Sequence, residues 1–197
     1  SDGVTLKGTA EAGSSVVVTL HGVSQTVTAG SDGNWSADFS AAQITSGSYD
    51  ADVTVTATDA AGNTSSTSGT VRIDTETNAG LSTPIAGDNV INASEASGGV
   101  TLTGTAEAGA SVAVTLGGVK QTVTAGSNGT WSATFDSSQI TTGTHQADVL
   151  VEATDTAGNT ATTSATVQID TETTVSLDGP IEGDNIINAA EASDGVT

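Results

Sequence analysis

Along HQADVLVEATD (145–155) apolar and polar positions alternate, putting His145, Ala147, Val149, Val151 and Ala153 on one face and acidic or polar groups on the other. A period of two is that of a β-strand with one buried face. SVAVTLGGVKQTVTA (111–125) alternates in the same way on both sides of Gly117 and Gly118, which predicts a hairpin. NGTWSATF (128–135) begins at an Asn-Gly turn and carries Trp131, the bulkiest candidate for a core plug. TATTSATVQI (160–169) follows the tight turn TAGN, VTLTGTA (100–106) precedes the hairpin, and an early strand is expected near 79–92. That makes about seven short strands, separated by Pro, Gly and Asn, with no segment of helical period. The pattern predicts an all-β, antiparallel sandwich.

The pattern then repeats. Trp35 recurs as Trp131, an offset of 131 − 35 = 96 residues. The same offset carries LKGTAEAG (6–13) onto LTGTAEAG (102–109) and ATDAAGN (57–63) onto ATDTAGN (153–159). It also carries IDTET (73–77) onto 169–173, and PIAGDNVINASEAS (84–97) onto PIEGDNIINAAEAS (180–193). A unit of this length is a whole domain, longer than a solenoid repeat. The closing SDGVT matches the opening SDGVT, as expected for two periods of a longer array cut at one phase.

The last strand of each period is expected to end at Ile73 and Ile169, with DTET as the linker. Residues 1–73 are then a domain lacking its first strand, 74–169 a complete domain, and 170–197 the first strand of another. A headless sandwich exposes a sheet edge and part of its core. The expectation is that residues 170–197 of one copy complete residues 1–73 of the next, head to tail, by strand addition. A window of a continuous fibre is the other reading of the same fragments.

Charge narrows the function. The chain has 23 Asp and Glu against 3 cations, Lys7, Arg72 and Lys120, for a net charge of −20. Binding to nucleic acid or an anionic membrane needs clustered Lys and Arg, so both are excluded as partners. There are no cysteines, hence no disulfide and no thiolate metal site. No apolar run is long enough to span a bilayer, so membrane insertion is not expected. No Ser/His/Asp set recurs and aromatics are few, which argues against an enzyme.

GTAEAGASVAVTL, NGTWSATF, VEATDTAGNTATTSATVQIDTET and IAGDNVINASEAS together resemble the bacterial Ig-like repeats of giant surface adhesins. These include biofilm-associated proteins and the extender regions of type I-secreted, RTX-type adhesins, ice-binding ones among them. The resemblance covers the whole chain. It implies tandem Ig-like domains at a bacterial cell surface, forming a calcium-stiffened stalk that holds a distal binding tip away from the cell. The partners it implies are neighbouring Ig-like repeats, joined head to tail.

The acids fall where such a stalk would need them. The period 74–169 holds 9 acidic residues and one Lys. In an Ig-type sandwich the loops after the second and sixth strands flank the incoming linker. That predicts a meeting of Glu107 and Asp155 with the linker acids Asp74 and Glu76. The equivalents are Glu11 and Asp59 in the first period, and Asp170 and Glu172 at the next linker. A second acidic loop, facing the far end, carries Asp88, Asn89, Asn92 and Glu95, repeated as Asp184, Asn185, Asn188 and Glu191. Two carboxylates about 5 Å apart repel by roughly 3 kcal/mol at an effective dielectric of 20. Gathered at a junction, they call for a hard divalent cation, and oxygen ligands without Cys favour Ca²⁺. Zinc is disfavoured because neither His recurs: His21 aligns with Gly117, and His145 with Tyr49. The competing reading is a solvated acidic surface, which suffices for Asp50, Asp52, Asp148 and Glu152 on an outer strand face. Two other functions remain open at this level. One is a polymerising fibre subunit; the other is a module binding glycan or protein, with Tyr49 as its single candidate aromatic.

Overall fold

The computed structural model describes residues 3–179, 181 and 185–194. Two β-sandwiches follow one another along the chain. The first contains β1 (Val4–Thr9), β2 (Ser15–Leu20), β3 (Val23–Thr28), β4 (Asn34–Phe39), β5 (Ser48–Thr58) and β6 (Thr64–Asp74). The second contains β7 (Ala79–Leu81), β8 (Val90–Asn92), helix α1 (Ala93–Gly98), β9 (Val100–Ala106), β10 (Ser111–Leu116) and β11 (Val119–Thr124). It is completed by β12 (Thr130–Phe135), β13 (Thr144–Thr154) and β14 (Thr160–Asp170), after which a short helix α2 (Ala189–Asp194) lies in the tail.

Alternation along each strand selects the faces. In β10, Val112, Val114 and Leu116 are buried, and they stand opposite Ala153, Val151 and Val149 of β13, all of them buried too. Across the sandwich, β9 and β12 contribute Leu102, Trp131, Ala133 and Phe135 to the same core. One sheet runs β11-β10-β13-β14-β8 and the other β12-β9-β7. The hairpin of β10 and β11 turns at Gly117 and Gly118, both with positive φ, as the alternation required.

The early strand expected near 79–92 is two strands that serve different sheets. β7 pairs antiparallel with β9, and β8 pairs parallel with β14. Between them the chain crosses from one sheet to the other and buries Ile85 and Ile91 in the core. The first sandwich has no counterpart of β7 or β8 among the described residues; its sheets are β1-β4 and β3-β2-β5-β6. Two expectations need correction. The strands end at Asp74 and Asp170 rather than Ile73 and Ile169, because Asp74 still pairs with Ser48 and Asp170 with Thr144. The absence of helix is also corrected: Ala93–Gly98 forms one, started by a capping box in which Asn92 and Glu95 bond each other's backbone N–H. A box of this kind nucleates a short helix without any amphipathic period.

The Trp plug needs a glycine beneath it. The indole of Trp131 lies on Gly104 and that of Trp35 on Gly8, so a Cβ at either glycine would overlap the ring. At Gly104 the Cβ would also strike the carbonyl of Gly80 in β7, a second wall that Gly8 lacks. Unfolding can be followed at Trp131 in a Trp35→Phe background, and conversely. Gly104→Ala is expected to cost the second sandwich about 3 kcal/mol or more, at the upper end for overpacking because backbone is also in the way. Gly8→Ala is expected to cost the first one less; equal losses would contradict β7 as the second wall.

Candidate functional site

The junction between the sandwiches is short. β6 ends at Asp74 and β7 begins at Ala79, leaving residues 75–78 to join them. Glu107 sits in the turn that follows β9, where its carbonyl accepts from Ala110 N at 3.0 Å. Asp155 opens the turn after β13 and is 7% exposed. These three carboxylates, one from the first sandwich and two from the second, place ligand oxygens within 4.8 Å of one another.

Asn159 builds the local scaffold. Its backbone N–H donates to Asp155 Oδ1 at 2.8 Å and its side-chain amide to Asp155 Oδ2 at 2.7 Å. The same amide nitrogen lies 3.1 Å from the carbonyl oxygen of Asp74, a polar tie across the junction. Burial pushes the Asp155 carboxyl up, but the Asn159 amide and the backbone N–H groups of Asn159, Gly158 and Ala157 outweigh it and hold the pKa below 3.8. Asp155 is therefore kept ionised in a nearly buried place.

Asp74 has the opposite problem. Its Oδ1 is sealed from solvent with no hydrogen-bond partner, and so is Thr77 Oγ1 in the connecting segment. Each close pair of charges at this spacing costs about 3 kcal/mol at an effective dielectric of 20. The ion pairs present are elsewhere: Arg72 with Asp50 and Lys120 with Glu152. Three converging carboxylates, one carrying an orphaned oxygen, and a nearby orphaned hydroxyl form a donor set of hard oxygens suited to Ca²⁺.

Of the other residues expected to contribute, Glu76 is exposed and outside this cluster. Glu11 and Asp59 line a cavity of about 360 Å³ in the first sandwich together with Ser14 and Trp35. Asp59 is held by Asn63 as Asp155 is by Asn159, and the Asn63 side chain lowers its pKa. Asp170 accepts from Thr144 Oγ1 at 2.8 Å, and Glu172 is exposed beside Ala93 and Ser97. The far-end acids are turned to their own backbone. Asp88 accepts from Val90 N, Asn89 from Ile85 N, Asn92 from Ser94 N and Glu95 N, and Glu95 from Asn92 N. Asn185 repeats the Asn89 bond to Ile181 N, and Asn188 the cap to Ala190 N. Asp184 and the Glu191 side chain lie outside the described residues. Tyr49 donates its hydroxyl to the Thr45 carbonyl, and its ring centroid is 4.8 Å from that of His21.

Sequence reasoning missed Asn159 and Thr77. The signal for Asn159 was available, since the Asp-x-x-x-Asn spacing of 155–159 recurs at 59–63. Thr77 had none, because a buried hydroxyl without a partner is visible only in three dimensions.

The bacterial Ig-like domain family matches the chain over residues 3–75 and again over 78–171. No curated protein matches it. Among solved structures, a Ca²⁺-stabilized adhesin that helps an Antarctic bacterium reach out and bind ice is 33% identical, with a TM-score of 0.51. The alignment covers 97% of this chain and 50% of that one, so the chain spans half the length of that structure. A 1.5-MDa bacterial ice-binding adhesin is 32% identical over 86% of this chain and 58% of that one, with a TM-score of 0.47. A bacterial immunoglobulin-like domain from the M. primoryensis ice-binding adhesin is 36% identical over 49% of this chain and 93% of that one, with a TM-score of 0.34.

The Asp155 turn has a pH signature. Because the folded-state pKa is depressed, its stabilising contribution is present above the ordinary value of 3.8 and is lost as pH falls through the lower folded value. In metal-free buffer, Asn159→Ala is expected to lower the denaturant midpoint of the second sandwich near neutral pH. The gap from the unsubstituted protein should shrink as pH falls toward about 2. A gap that stays constant across this range would refute the assignment.

Proposed function

This chain belongs to the bacterial Ig-like domain family, with two members in tandem, and from that premise we propose that it is an extender segment of a large bacterial surface adhesin, stiffened by Ca²⁺ at the junction. The family is one of structural repeats, not enzymes. The role of the segment is mechanical: it holds an adhesive part of its parent protein at a distance from the cell. Its working place is the extracellular face of a bacterium, and its immediate partners are the Ig-like repeats before and after it.

One observation carries this reading. Asp74, Glu107 and Asp155 converge within 4.8 Å from both sides of a four-residue connection, with Asp74 Oδ1 shielded and unpartnered. An ion held by all three would tie the last strand of one sandwich to two loops of the next. Bending about residues 75–78 would then have to break ligand bonds. Without the ion the same carboxylates repel and favour an open hinge. The adhesin from the Antarctic bacterium, matched over nearly all of this chain, is described as Ca²⁺-stabilized, which favours the same cation here. Asn159 would orient Asp155, and Thr77 Oγ1 lies within the connecting segment as a further oxygen.

Small-angle scattering and calorimetry test this. In Ca²⁺ the protein is expected to scatter as one extended particle, and in chelator as a bent, broader ensemble. Glu107→Gln or Asp74→Asn should abolish the difference. Binding should also stabilise the second sandwich by about 2.7 kcal/mol at a hundredfold excess over Kd. An unchanged maximum dimension, together with no heat of binding, would overturn the reading.

A further inference from the structure

The first sandwich has a groove that the second does not. In the second, Leu102, Val149, Val151 and Val167 are 2%, 0%, 0% and 1% exposed, sealed by the segment that runs from β7 to β8. Their counterparts 96 residues earlier, Leu6, Val53, Val55 and Val71, are only half-buried. They line an open groove of about 350 Å³ between the two sheets. The edges of β1 and β6 that β7 and β8 would cover are unpaired in this module.

The chain also carries the matching segment unplaced. Val175 and Leu177 correspond to Ala79 and Leu81 of β7, and Ile187 to Ile91 of β8, which is fully buried. In the tail they are 99%, 80% and 51% exposed. The tail already holds helix α2 where α1 follows β8, and Asn188 already caps it.

We propose that this groove is the docking site for the tail of a second copy of the chain, with residues 175–177 added to the edge of β1 and residues 186–188 to the edge of β6. The register follows from the second sandwich. Ser176 lies opposite Thr9 as Gly80 does opposite Thr105, and Ile187 lies beside Ile73 as Ile91 does beside Ile169. Ser176 stands where Gly80 leaves room for the Thr105 hydroxyl, so the Thr9 hydroxyl rotates away on docking. Backbone pairing supplies the strand addition, and Leu177 and Ile187 supply the buried apolar contacts. The contact is heterologous: each copy offers one groove and one tail, so assembly is an open head-to-tail chain. It stands on the apolar groove and not on the cation, so it and the calcium reading can fail independently.

Sedimentation of the 197-residue protein over a range of concentrations tests the idea. Concentration-dependent, open-ended oligomers are expected. Ile187→Asp, at a position half-exposed in the free chain, should leave both folded sandwiches intact and weaken association by about 100-fold or more. The chain has no cysteines, so the paired variant Thr9→Cys with Ser176→Cys adds a register test. Under oxidising conditions it should give a ladder of disulfide-linked multimers. A monomer at every concentration, oligomers indifferent to Ile187→Asp, or a paired-Cys variant that stays monomeric would each overturn the proposal.

Discussion

Each of these sandwiches must be closed by a segment that serves both of its sheets. In the second module that segment is the run from β7 to β8, which gives one short strand to the sheet of β9 and β12 and another to the sheet of β13 and β14. The crossing drives Ile85 and Ile91 between the sheets, and the valines beneath lose their contact with water. Where the segment is absent, in the first module, the same residue types remain half-wet and the sheet edges unpaired. The core is thus only as complete as the short strands that seal it, because apolar area is removed from water only when both sides are covered.

The same segment sets the junction. Since β7 starts four residues after β6 ends, the closing segment brings the end of one module onto the loops of the next. Asp74 is thereby pressed against Glu107 and Asp155, and the Asn159 amide meets the Asp74 carbonyl. Closing a core and drawing like charges together are consequences of one short connection. The repulsion would open the seam unless an opposing charge enters it, which makes stiffness conditional on the medium rather than built into the fold.

Much of this was legible from the chain. The two-residue period placed the strands and the Gly pair placed the hairpin, because side-chain direction in a strand is fixed by the pleat. The offset of 96 residues marked which pieces were equivalent, and the meeting of Asp74, Glu107 and Asp155 followed once loops were assigned to one end of a sandwich. Glu76 shows where that reasoning stops. It lies two residues from Asp74 in the same acidic linker, yet it faces solvent, because a linker's acids are separated only by how the connection turns. The far-end acids show the same limit: Asp88, Asn89, Asn92 and Glu95 look like ligands in sequence, yet each holds a nearby backbone N–H.

The sequence by itself determined the sandwich class, the repeat, the strand faces and the acidic character of the seam, all of which depend on local order and composition. Only the tertiary structure decided that residues 79–92 divide between two sheets, that Asp74 Oδ1 and Thr77 Oγ1 end buried without partners, and that Asn159 bridges two modules. Those are facts about which atoms exclude water from one another, and no spacing along a chain encodes solvent exclusion until the sheets have packed.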